Sequence, residues 1–136
     1  MNSKLGRFMY LNLNFSPRVL LKKGFTNKKN LTKKIHQQYI LPFPDKHSRI
    51  PLLDLAKALV GSSDWYQSQW EQLHKLANKE WLIIWGTEDK FITIDNLEKW
   101  QERLPQAKTQ QLECGHFVQE EATQESIQAI QAFMME

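Results

Sequence analysis

Two residues in the last third of the chain have types and settings suited to proton-transfer chemistry, Asp89 and His116. Asp89 follows Leu82-Ile83-Ile84-Trp85-Gly86, a continuous apolar run closed by a glycine. Such a run suits a strand buried on both faces. His116 stands in a second glycine turn, Cys114-Gly115-His116-Phe117, just after a strand-like piece at 109–112. Between them Leu97, Trp100 and Leu104 repeat at helical spacing, and Pro105 ends that helix. Two parallel strands joined by a helix bring their C-terminal ends to one rim of a sheet. An acid and a histidine separated by 27 positions (116 − 89) can therefore meet there. A carboxylate beside an imidazole holds the ring in one tautomer and stabilises its charged form. The pair makes two-thirds of a nucleophile–His–acid triad. A lone His–Asp pair is usually structural, and the order strand, acid, helix, strand, histidine is what favours chemistry here.

The strings that carry these residues also carry a resemblance. Ile84-Trp85-Gly86-Thr87-Glu88-Asp89-Lys90-Phe91, the stretch 97–105, and Gly115-His116-Phe117-Val118-Gln119-Glu120-Glu121 resemble the C-terminal end of an α/β-hydrolase. The last string is most similar to the haloalkane dehalogenase-like branch of that superfamily. The resemblance implies Asp89 as triad acid and His116 as general base. It implies a partial α/β-hydrolase fold: a helical cap over residues 1–80, then the last two parallel strands and their helices over 81–136. The order Asn14, Tyr39, Pro42-Phe43-Pro44, Arg49, Trp70 is similar to that cap, more loosely than the later match. Trp65, Tyr66 and Trp70 are candidates to line a substrate pocket, or else they simply pack a core.

The departure from the family is large. Its nucleophile lies upstream of anything in this chain, and no Gly-x-Ser-x-Gly elbow or dehalogenase-type Asp elbow is present. Gly61-Ser62-Ser63 has no preceding buried strand and is a poor substitute. The expectation is a truncated hydrolase, inactive alone, that turns over a small apolar haloalkane, ester or epoxide once a nucleophile-bearing half completes it. Partners would be that half or a second copy of the chain. The alternatives are a non-enzymatic interaction module and an inactive product. Strand Leu82-Ile83-Ile84-Trp85 expects neighbours that these residues do not contain, and an exposed edge of that kind aggregates or recruits a partner.

Composition is that of an ordinary globular domain, 41% apolar and 24% charged over 136 residues. Five tryptophans in so short a chain argue for a packed interior or an aromatic-lined pocket. A single cysteine, Cys114, excludes an internal disulfide, suits a small buried position and fits a reducing cytoplasm. No apolar run approaches the roughly 18 residues of a membrane helix, and the N-terminus has no secretion-signal pattern. No metal-ligand spacing, phosphate loop or dinucleotide fingerprint occurs, so no cofactor is expected. Charge is asymmetric. Residues 1–50 hold 11 Lys/Arg against one acid (11 − 1 = +10), and residues 51–136 hold 7 against 14 (7 − 14 = −7). A basic surface for nucleic acid or anionic lipid is one reading. Solvated helix faces are the favoured one, because the basic residues are spread over several segments.

The first 80 residues read as about four helices with Pro/Gly joints. Leu5, Phe8 and Met9 mark the first, which Ser16-Pro17 interrupts. Asn30 or Thr32 caps the next. Pro51 opens a third with a stripe at Leu52, Leu55, Ala56, Leu59 and Val60. Ser62 or Ser63 caps a fourth. His36, His47 and His74 read as surface residues. Glu120 and Glu121 read as charges at the start of a final helix, with Gln119 and Glu120 placed to orient the His loop.

Overall fold

The computed structural model describes residues 3–136. The chain divides into two compact units. One holds the residues up to Lys23 together with Leu31–Trp70, and the other holds Gly24–Asn30 together with Glu71–Glu136.

The first unit is helical. Helix α1 (Lys4–Leu13) is capped by Ser3, whose hydroxyl accepts from the Gly6 N–H at 3.0 Å. It stops at Asn14, which takes the left-handed conformation (φ 51°), tolerable for an Asn. The interruption expected at Ser16-Pro17 falls two residues earlier, at Asn14, and no loop follows. The backbone winds on as a π-helical turn (Ser16–Leu20) into the short α2 (Leu21–Gly24). A proline in a first turn forgoes an N–H that would be unpaired anyway. Helix α3 (Lys33–Ile40) is capped by Thr32, whose hydroxyl accepts from Ile35 N at 3.2 Å. His36 is half-buried rather than on the surface, with Nε2 2.8 Å from the Pro17 carbonyl. Helix α4 (Ile50–Gly61) carries Pro51 in its first turn, and α5 (Ser63–Glu71) follows.

One arginine ties these pieces together. Arg49 donates to the carbonyls of Leu11 (2.9 Å), Asn12 (3.3 Å), Phe43 (3.0 Å) and Pro44 (2.8 Å). Asn14 Nδ2 donates to the same Phe43 carbonyl at 3.2 Å. A guanidinium over the last carbonyls of α1 meets the negative end of its dipole. The clamp orients α4. Leu53 and Ala56 are buried with Tyr10, and Leu11, Phe15, Leu20 and Leu52 pack around them. The stripe expected from spacing is rotated away, since Leu55, Leu59 and Val60 are exposed. Helix α4 is apolar almost all round, so periodicity could not decide its inner face.

The second unit holds the sheet. Strand β1 (Leu82–Gly86) and strand β2 (Lys108–Leu112) pair in parallel, from Leu82 opposite Lys108 to Gly86 opposite Leu112. Helix α6 (Ile94–Arg103) crosses between them and buries Leu97, with Leu104 buried just past its end. Helix α7 (Val118–Glu121) is a single turn, and a break at Ala122 separates it from α8 (Thr123–Met134). Leu112, Cys114 and Ala122 form a buried cluster against which Ile84 and Val118 pack. On β2, Lys108, Gln110 and Gln111 are exposed. On β1, all four apolar residues Leu82, Ile83, Ile84 and Trp85 are only half-buried. The Trp85 indole N–H is buried without a hydrogen-bond partner among the described residues. None of the five tryptophans is buried, which does not fit the first of the two expectations, a packed interior or an aromatic-lined pocket. Among the described residues no helix is long and apolar enough to cross a membrane.

Leu53, 1% exposed, is the best-enclosed aliphatic side chain of the first unit. Leu53→Ala should lower unfolding free energy by about 2–5 kcal/mol. Leu59→Ala, at an exposed position of the same helix, should change it by no more than about 0.5 kcal/mol. Urea unfolding of the two variants beside the parent measures both.

Candidate active site

The site grows from the ends of the two strands. Pairing does not stop at Gly86. Thr87 donates from its N–H (2.9 Å) and its hydroxyl (3.2 Å) to the Leu112 carbonyl, and Glu88 N–H donates to the Cys114 carbonyl at 3.0 Å. The two turns leaving the sheet thus run side by side. They approach so closely that a Cβ on Gly86 would collide with the Gly115 carbonyl and lie 2.6 Å from that of Cys114. A glycine is required there because backbone, which cannot swing aside, fills the space.

Asp89 is nine-tenths buried and makes three bonds. Its Oδ1 accepts from the N–H groups of Phe91 (2.7 Å) and Ile92 (3.1 Å), the pattern by which an aspartate folds a tight turn around itself. Its Oδ2 accepts from His116 Nδ1 at 2.7 Å. The carboxylate is held by backbone on one oxygen and presents the other to the imidazole. With Nδ1 donating, Nε2 carries the lone pair and is the atom that can take a proton. The His116 side chain keeps about a third of its surface exposed (32%). Phe91 and Phe117 stand edge-on to its ring, at 5.3 and 5.1 Å between centroids. Aspartate and aromatics restrict the ring to one orientation.

A third segment enters from far upstream. Residues Gly24–Asn30 pack in the same unit as the His turn. The Gly24 carbonyl accepts from His116 N–H at 2.8 Å, and buried Phe25 stacks on Phe117 at 5.1 Å. Glu121 joins this segment to the turn. Its Oε2 accepts from Gly115 N (2.7 Å) and Thr26 N (3.1 Å), and its Oε1 from Asn27 N (2.7 Å). Glu120 and Glu121 do fall in the first turn of the single-turn α7, as expected of charges at a helix start, and Glu121 in addition serves this loop. Spacing alone could not show that its carboxylate serves a loop more than 90 positions away. The nearest signal was its place in the Gln-Glu-Glu string.

The remaining expected site residues lie elsewhere. Trp65 and Tyr66 sit on α5 in the first unit, packed edge to face at 5.1 Å and both exposed, and Trp70 on the same helix is half-buried. Among the described residues, no group of three or more His, Cys, Asp or Glu side chains is arranged to hold a metal ion.

The second unit is thus a parallel β–α–β crossover with an acid after the first strand and a hydrogen-bonded histidine after the second. A family model described as the alpha/beta hydrolase fold matches residues 9–123. The chain belongs to the α/β-hydrolase fold family. It is 32% identical over 112 residues to a cis-3-alkyl-4-alkyloxetan-2-one decarboxylase of Shewanella oneidensis, an alignment covering 78% of this chain and 35% of that protein. The chain thus spans about a third of the length of this relative. The helices and two-strand parallel sheet are a part of the α/β-hydrolase fold.

Cys114 lies beside the His116 turn. Burial, with the negative charges of Glu121, Glu88, Glu125 and Asp89 behind it, pushes its thiol from an ordinary 9.0 up to about 11. The folded chain therefore holds this proton more tightly than the unfolded one. Its contribution to stability should be intact below pH 9 and fall as pH rises from 9 to 11. A thiol reagent at pH 8 should label the native chain at least about tenfold more slowly than the urea-unfolded chain. Gly86→Ala should cost about 1–3 kcal/mol or more, read by urea unfolding, because the facing carbonyls must move.

Proposed function

We propose that this chain supplies the acid and the general base of a hydrolytic site of the haloalkane dehalogenase-like kind, and that the nucleophile comes from residues outside these 136. The observation that supports this reading best is the 2.7 Å bond from His116 Nδ1 to an Asp89 carboxylate fixed by two backbone N–H groups. In the proposed cycle the nucleophile attacks an electrophilic carbon and forms an ester-type intermediate, as the bond from that carbon to its alkoxide oxygen or halide breaks and the bonding pair leaves with that group. His116 Nε2 then takes a proton from water as the water oxygen attacks that ester. Asp89 stabilises the imidazolium that results.

Strand β1 supports the idea that further structure completes the sheet. It is wholly apolar, its residues are half-buried, and Trp81, Leu82, Ile83, Ile84, Trp85 and Trp100 line an open groove along it. A strand of this composition is ordinarily covered on both faces. The occupant is proposed to be the nucleophile-bearing part, in the same polypeptide or another. Residues 1–80 would serve as cap, and Trp65, Tyr66 and Trp70 as the apolar lining of the entrance. The substrate is proposed to be a small, largely apolar electrophile. The Shewanella relative is named as a decarboxylase of an alkyl-substituted oxetan-2-one, a cyclic ester, and this supports considering esters of that kind before haloalkanes and epoxides. A cytoplasmic setting goes with this proposal.

The test joins the chain to the part of the Shewanella relative that the alignment leaves uncovered and follows loss of an alkyl-substituted oxetanone, a haloalkane and an aryl ester. The chain alone should leave all three untouched. The joined protein should act on at least one, and Asp89→Asn or His116→Gln should then reduce the rate by about 10³- to 10⁴-fold. Turnover by the chain alone, lost in Asp89→Asn, would place a nucleophile within these residues and sink the completion reading. Indifference of the joined enzyme to both substitutions would sink the acid–base assignment.

A further inference from the structure

We infer that Glu121 is a positioning residue for the histidine: its carboxylate gathers three backbone N–H groups and thereby sets where His116 stands relative to Asp89. The inference rests on the reading of Asp89 and His116 as the acid–base pair.

The argument starts from what the His turn lacks. Strand β2 ends at Leu112, so Gly115 and His116 have no strand partner for their N–H groups. Both N–H groups are nonetheless bonded, and neither bond is made within the turn. Gly115 donates to Glu121 Oε2 at 2.7 Å, and His116 donates to the Gly24 carbonyl at 2.8 Å. Glu121 controls the second bond as well as the first. Through Thr26 N (3.1 Å) and Asn27 N (2.7 Å) it fixes the segment that carries Gly24. The Asn30 side-chain amide adds a bond to the Glu121 carbonyl at 3.4 Å. Thr26 also reaches across to the acid turn, its hydroxyl donating to the Glu88 carbonyl at 3.4 Å. One carboxylate thus links three turns, those that carry the acid, the histidine and Gly24.

The chemistry of the side chain suits the task. Bonds to an ionised acceptor are shorter and stronger than those between neutral groups. A carboxylate has two acceptor oxygens and no donor, so it can face three N–H groups at once. Glutamine has one acceptor oxygen, and its amide would point N–H at N–H on the other side. The geometry leaves no slack: a Cβ on Gly115 would meet the Gly24 carbonyl and lie 2.7 Å from Glu121 Oε2. Movement of the carboxylate is transmitted to the His116 backbone on both sides. The imidazole swings with it, and the 2.7 Å bond to Asp89 is the element most sensitive to that swing.

The readout is the His116 Nδ1 proton, observed by nuclear magnetic resonance on the full chain at neutral pH. In the parent chain this proton should give a resonance that Asp89→Asn abolishes. Glu121→Ala should keep the circular dichroism of the folded chain. Its Nδ1 proton should exchange with solvent about tenfold faster or more, or vanish from the spectrum. Glu121→Gln should fall between the two. Asn30→Ala, which removes a neighbouring bond and leaves the carboxylate in place, should match the parent. A Glu121→Ala resonance that exchanges like the parent's would overturn the inference and leave the acid–base pair standing. An Asn30→Ala effect as large as that of Glu121→Ala would also overturn it, since any loosening would then suffice. Unfolding of both Glu121 variants would make Glu121 a stability residue and overturn it too. A parent chain with no Asp89-dependent resonance would remove the pair itself, and the inference with it.

Discussion

The constraint on which the site depends is the close passage of backbone past backbone where the two strands end. Parallel register puts Gly86 opposite Leu112, and the turns that follow stay in contact through Thr87 and Glu88. No side chain separates them at Gly86 and Gly115. That absence of bulk lets residues 27 positions apart share a hydrogen bond. Gly24 repeats the device, since a Cβ there would run into the Phe117 ring. Where three turns converge, each contributes a glycine at the point of contact.

Two carboxylates divide the work of holding these turns. Asp89 gives one oxygen to its own turn and the other to the imidazole. Glu121 gives both oxygens to backbone. Taking a charged group out of water is unfavourable unless donors replace the water. Here five of the six donors are main-chain N–H groups, which have few ways of moving, and the sixth is the His116 imidazole. The first unit uses the opposite polarity for the same purpose, as Arg49 gathers four carbonyls where α1 ends and α4 begins. In both places a charged side chain organises irregular backbone that no helix or strand would hold.

What could be read in advance followed from local pattern. The apolar run into Gly86, the helix over 94–103 and the glycine turn before His116 were visible because each is a short-range signal. So was the meeting of Asp89 with His116, because right-handed crossover topology leaves those strand ends few places to go. The misses share a different cause. The reach of the Glu121 carboxylate is not legible in the sequence because its partners, Thr26 and Asn27, are set by tertiary structure. The inner face of α4 was misjudged because Leu53 and Leu59 look alike to a periodicity argument, and the Arg49 clamp decides between them. The number of tryptophans predicts a packed interior or an aromatic-lined pocket. Four of them lie half-covered and Trp65 is exposed, with the Trp81 indole N–H reaching the Leu76 carbonyl at 3.0 Å and its ring against Trp100.

The two strands are not equivalent, and the difference gives the sheet a direction. Strand β2 turns Lys108, Gln110 and Gln111 outward, whereas β1 offers an unbroken apolar surface. Charged and amide side chains along a border discourage another strand from zipping on. A sheet blunted on one flank and receptive on the other accretes in a single sense. A strand that pairs with this sheet is therefore directed to the β1 flank rather than to the β2 flank.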